Sequence, residues 1–226
     1  MDVVFGTHRL GDPYGEAKIC RVLGKSLVRQ GRDAEAEDFL GRAVVLFHEL
    51  GEQAEESDSL LGRVTQSWRQ DRVAEAYADA RQALMLAEAA SSANLRATAL
   101  SAIGRCALAL GAPQETISCC TAALALYRAI GNDEGRAYAL RVLGSVYHHL
   151  GQWDAAVATY EESLALDVAL RDDYFAALAL DQIGLVHQAA GRVAEATSAW
   201  RRSLALLECL GNPEADGVRA RLNAIS

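Results

Sequence analysis

The sequence predicts an all-α protein, a right-handed α-solenoid of helical hairpins closed by a C-terminal helix. Three observations carry that reading. The text repeats every forty residues, apolar residues inside each repeat recur at three- and four-residue steps, and glycine or aspartate stands where helices should end. Only three prolines interrupt 226 residues that are 51% hydrophobic, which is ample for a core and too little proline for disordered linkers.

The period is read first from glycine. Gly24, Gly104, Gly144 and Gly184 lie at multiples of forty, and seven residues after each stand Gly31, Gly111, Gly151 and Gly191. Val64 and Asp71 occupy the missing register, and aspartate tolerates the left-handed conformation of a helix end better than most residues. HRLGDPYGEA at 8–17 returns as HELGEQAEES at 48–57, RAIGNDEGRA at 128–137 and ECLGNPEADG at 208–217. In the later copies it closes one helix and opens the next.

In order along the chain, residues 1–12 read as the tail of a second helix. Five repeats follow at 13–52, 53–92, 93–132, 133–172 and 173–212, and a capping helix fills 213–226. Proline suits a first helical turn, so that last helix is expected from about Pro213. Shifting by forty places Val3, Val4, Phe5 and His8 on Ala43, Val44, Val45 and His48. The polypeptide is therefore expected to extend N-terminally by at least one further hairpin; without it, Val3, Val4 and Phe5 are expected either to fray or to be buried by self-association with another copy of the chain.

Within AYALRVLGSVYHHLG, the residues Ala139, Leu140, Leu143, Val146, Tyr147 and Leu150 form one apolar stripe. A second helix follows from about Asp154, with Ala156, Val157, Tyr160, Leu164 and Leu166 inward. Neither helix can bury its stripe alone, so neighbouring hairpins must stack.

These residues resemble the tetratricopeptide repeat, which is marked by Leu-Gly, an aromatic, then small, aromatic and small residues on the second helix. The fourth copy has Leu140, Leu143-Gly144, Tyr147, Ala156, Tyr160 and Ser163; the fifth has Leu180, Ile183-Gly184, His187, Ala196, Trp200 and Ser203. Glycine allows close helix approach while the aromatic fills the wider gap, so Gly24, Gly104, Gly144 and Gly184 are expected to be packing glycines. The family's proline near the end of the second helix is replaced by His48, Glu88, Arg128, Val168 and Glu208, which lets that helix run on. The long period is similar to the C-terminal repeats of bacterial antibiotic-pathway transcriptional activators and signalling ATPases.

The chain lacks the nucleotide-loop and zinc-protease patterns, so no enzyme and no cofactor is expected. His148-His149 lacks further ligands, so no metal is expected either. The net charge of −8 opposes direct nucleic-acid contact, and no apolar run reaches the roughly 18 to 20 residues of a membrane span. Five cysteines without a CxxC pair suit a reducing, cytoplasmic setting; Cys20, Cys106 and Cys120 fall on inward registers.

In the resembled family the first helix of each hairpin lines the binding groove. By register this surface carries Lys18, Arg21, Lys25, Arg29, Trp68, Arg69, Arg105, Tyr138, Arg141, His148, Asp181, Gln182 and Arg221. Apart from Asp58 and Asp181 its charges are positive, opposite to the molecule as a whole. That suits a protein or peptide partner with an acidic segment; it equally suits a solvated face that keeps stacked repeats soluble. Reversing Arg105 and Arg141 to Glu is expected to abolish binding while leaving the fold intact. The function implied is a protein-interaction module within a larger bacterial regulator, or alternatively a sensor that binds a short peptide or small ligand and switches an attached transcription-factor or ATPase domain.

Overall fold

The computed structural model describes residues 11–225. Among them are eleven α-helices and no strand: α1 (Pro13–Arg29), α2 (Asp33–Leu50), α3 (Gln53–Arg69), α4 (Val73–Ala89), α5 (Ala93–Ala109), α6 (Pro113–Ile130), α7 (Asp133–His149), α8 (Trp153–Ala169), α9 (Asp173–Ala189), α10 (Val193–Cys209) and α11 (Ala215–Ala224). None is long and apolar enough to cross a membrane. The expectations placed on Val3, Val4, Phe5 and His8 lie outside the described residues.

Local chemistry sets the helix ends. The first helices of four hairpins are opened by a side chain that accepts an otherwise unpaired N–H: Asp12 for α1, Ser92 for α5, Asn132 for α7 and Asp172 for α9. Helices close on a left-handed residue, and Asp71 does so with φ of 59°, as its register predicts. Ser91 and Arg171 hold the same conformation at φ of 54° and 58°, without the freedom glycine would bring. At the C-terminus the helix expected from about Pro213 is present, with its start two residues later. Pro213 and Glu214 form a turn and α11 begins at Ala215, because the Asp216 and Gly217 N–H groups donate three residues back, to Pro213 and Glu214. Leu150 also departs from the expected inward stripe: it follows the last turn of α7, beside Gly151, and is 37% exposed.

The chain divides into two compact units, Met1–Glu115 and Thr116–Ser226. In the first, α1/α2 and α3/α4 are antiparallel hairpins followed by α5. Gly24 lets α1 and α2 cross closely, since a Cβ there would lie 2.6 Å from Leu40 Cγ. Where Val64 replaces glycine, the second-helix residue of the matching register shrinks to Ala80, and both are buried. Ser57 Oγ donates to the Ala83 carbonyl at 2.8 Å, which satisfies a hydroxyl buried in the α3/α4 seam. Successive hairpins are tied by the Tyr14 hydroxyl to Glu55 at 3.3 Å and by Arg72 to Glu37 at 3.0 Å.

The second unit holds the hairpins α7/α8 and α9/α10, with α11 closing its end. Gly144 faces the Tyr160 ring and Gly184 faces the Trp200 indole; both aromatics are fully buried. Ser163 Oγ donates to the Ala137 carbonyl and Ser203 Oγ to the Ala177 carbonyl, both 26 residues back. Trp200, Leu207, Ala215 and Val218 form the core under α11. Truncating an aromatic at such a site costs about 3 to 5 kcal/mol. Each unit is thus a stack of helical hairpins, the arrangement of an α-solenoid.

Candidate functional site

In the first unit the first helices α1, α3 and α5 lie side by side and enclose a recess of about 290 Å³. Its rim carries Lys25 and Arg29, two of the basic residues picked out by register, together with Asp58. Its apolar wall is Val28, Leu61 and Leu95. Gly62, Asn94, Thr65 and Thr98 complete the lining, each threonine hydroxyl donating to the carbonyl four residues earlier in its own helix. Sequence reasoning passed over these threonines, although they occupy the registers of Lys25 and Lys18. Carrying the Lys25 and Lys18 registers through every copy would have found them.

Most of the predicted basic residues already have a carboxylate. Arg21 Nη1 lies 2.9 Å and Lys25 Nζ 2.5 Å from opposite oxygens of Asp58. Arg69 Nε meets Asp33 Oδ1 at 3.1 Å. Lys18 sits over the Tyr14 ring at 5.5 Å, and the Arg105 guanidinium stacks on half-buried Trp68 at 4.3 Å. Arg29 is exposed at the rim.

In the second unit Arg141 is held most firmly. Its Nη1 donates to both oxygens of Asp167, at 3.0 and 2.9 Å, and its guanidinium stacks on Phe175 at 4.3 Å. The Asp167 side chain is 3% exposed and that of Arg141 15%. Burial pushes the Asp167 carboxyl upward and Arg141 pulls it back. The expectation that reversing Arg141 leaves the fold intact is therefore corrected, because a glutamate there would face a buried carboxylate.

Arg221 Nη1 meets Asp181 Oδ1 at 2.8 Å, tying α11 to α9. Asp181 is buried, its carboxyl raised by that burial and lowered by Arg221, so it is less an exposed groove residue than a tether. Its carbonyl accepts from Trp200 Nε1 at 3.2 Å. His148 packs edge-on against Trp153 at 5.5 Å, with its pKa lowered by burial and then by His149. Tyr138 and Gln182 are half-buried on α7 and α9.

Among the described residues no group of three or more His, Cys, Asp or Glu is placed to hold a metal ion. What the first unit offers is a concave, mixed surface with a small apolar hollow, able to take a side chain or a short segment by shape and charge.

The sequence pattern of the tetratricopeptide repeat matches residues 95–167. No curated protein matches the chain in sequence. In fold it is similar to BtubC (BKLC) from P. vanneervenii, at 18% identity over 92% of this chain and 88% of that one, with a TM-score of 0.77. It is also similar to a signal transduction ATPase with numerous domains and a tetratricopeptide repeat sensor from Pyrococcus horikoshii. That match has 14% identity and a TM-score of 0.70, over 99% of this chain but 38% of the other. A Rap protein complexed with competence and sporulation factor shares 15% identity over 95% of this chain and 65% of that one, with a TM-score of 0.70. At such identities the likeness is one of fold. The family pattern covers residues 95–167, and on both sides of it the forty-residue register and the stacked helical hairpins continue.

Proposed function

We propose that the inner face of the first helices binds a segment of a protein partner, and that the chain is the regulatory or scaffolding part of a larger bacterial regulator in the cytoplasm. The observation that carries this reading is the recess of α1, α3 and α5, where register-matched Lys25 and Arg29 meet an apolar wall. An acidic segment suits it, because Lys25, Arg29 and Arg21 outnumber Asp58 on a chain of net charge −8. Burying the apolar wall supplies affinity and the rim charges supply register.

The recess volume of about 290 Å³ favours one further reading: a short peptide or small ligand that switches an attached transcription-factor or ATPase domain. The Pyrococcus horikoshii ATPase, whose repeats form a sensor, supports it by analogy of fold.

A photo-crosslinking residue placed at Thr65, on the recess, and at Met85, an outer position that is 70% exposed, separates binding from adhesion. A partner peptide recovered from Thr65 and not from Met85 is the expected result. Equal labelling from both positions would refute an inner-face site.

A further inference from the structure

The recess already contains a carboxylate of its own. Asp58 projects from α3 between two cations of α1, with Arg21 on one oxygen at 2.9 Å and Lys25 on the other at 2.5 Å. All three side chains stay partly open to water, at 20%, 31% and 29% exposure for Arg21, Lys25 and Asp58. The pairing is therefore accessible and screened, unlike the buried pair of Arg141 and Asp167. Beside it lies the hollow walled by Val28, Leu61 and Leu95. Gly62 also lines it, and its lack of a side chain leaves room for Leu40 and the Lys25 stem, since a Cβ there would stand 2.9 Å from Leu40 Cδ2 and 3.3 Å from Lys25 Cγ.

We infer that Asp58 occupies the place of a partner's carboxylate, so that the recess takes a segment carrying an apolar side chain next to an acidic one. This inference rests on the inner face being the binding surface. A ligand carboxylate that approaches Lys25 and Arg21 meets the like charge of Asp58 and must share or displace it. Exchanging one carboxylate for another gains little Coulomb energy, so an acidic segment without an apolar neighbour is held only weakly by the remaining surplus of positive charge. An apolar residue that fills the hollow tips the exchange. Asp58 thereby imposes a two-part requirement on the partner and rejects segments that are merely acidic.

The test uses the full chain and three end-capped fluorescent peptides, Leu-Asp-Leu-Glu-Leu, Leu-Asn-Leu-Gln-Leu and Ala-Asp-Ala-Glu-Ala, read by anisotropy. The wild type should prefer the first to both others. Asp58→Asn should bind the two acidic peptides on the order of tenfold tighter, the third gaining most in proportion. Lys25→Gln, which keeps Asp58, should weaken the first peptide and leave the Asn/Gln peptide unmoved; this variant decides the matter should Asp58→Asn fail to fold. Preference for the first peptide together with unchanged affinity in Asp58→Asn would overturn the competitor role and leave the binding face standing. Absence of any preference among the three peptides in wild type and both variants would overturn the acidic-partner reading beneath it.

Discussion

Gly184→Ala places one methyl group in the α9/α10 seam, and the structure says how badly it fits. The new Cβ would lie 2.4 Å from Trp200 Nε1, 2.5 Å from Cδ1 and 2.7 Å from Cε2. Ordinary contact needs about 3.5 to 4.0 Å, so the indole or the helix must retreat by roughly 1 Å. Neither moves cheaply. Trp200 is fully buried, and its Nε1 is committed to the Asp181 carbonyl at 3.2 Å. Overpacking of this kind costs about 1 to 3 kcal/mol, against which removing a helical glycine returns about 0.5 to 1 kcal/mol. The expected net loss is about 1 to 2 kcal/mol. Gly41 supplies the control, since it lies inside α2 with nothing within 4 Å of its Cβ position. Gly41→Ala should stabilise by about 0.5 to 1 kcal/mol. Two chemically identical substitutions should therefore differ by roughly 1.5 to 3 kcal/mol in paired urea titrations followed by circular dichroism. Equal stability in the two variants would mean that the glycine–tryptophan crossing is loose, and the packing account of all these glycines would fall with it.

Other consequences follow from the same packing. Gly144→Leu, whose Cβ would lie 2.8 Å from the Tyr160 ring, should cost about 1 to 3 kcal/mol or more in the same titration. Arg141→Leu should destabilise by roughly 3 kcal/mol because it strands Asp167, whereas the double variant with Asp167→Leu should recover most of the loss; a double variant as unstable as the single one would refute the buried-pair assignment. Arg171→Gly relieves a left-handed residue at φ of 58° and should stabilise by about 1 kcal/mol, which a raised urea midpoint would report. Asp79 lies close to Arg63, with its carboxyl raised first by burial, so the folded state holds that proton more tightly than the unfolded chain does. Its contribution is greatest below the unfolded carboxylate range and is lost as pH rises through the raised folded value. Wild type should therefore gain on Asp79→Asn as pH falls through the raised folded value toward the ordinary carboxylate range; a stability difference that is flat or opposite in sign as acid is added would exclude the buried charge as its source.

The forty-residue period, the helix ends and the glycine–aromatic seams were legible without coordinates because each rests on chemistry local to one hairpin. A left-handed residue closes a helix by its own backbone preference, which is why Asp71 could be picked out from the gap it fills. Gly184 and Trp200 are partners sixteen residues apart in one hairpin, and the period repeats the pairing as Gly144 with Tyr160. Charge was not legible in this way. Register 21 alone holds Arg21, Leu61, Ser101, Arg141 and Asp181, and the structure gives three of these different tasks. Arg21 shares Asp58 with Lys25, Arg141 is buried against Asp167, and Asp181 tethers Arg221. Those partners stand 37, 26 and 40 residues away, across or between hairpins. An arginine's long, flexible side chain carries no local signal of which neighbour will neutralise it, and that choice arises only when stacking brings particular faces together. A stripe that looked mostly basic along the chain thus became, once folded, a set of ion pairs, of which those of Arg21 and Lys25 lie beside the apolar recess of the first unit.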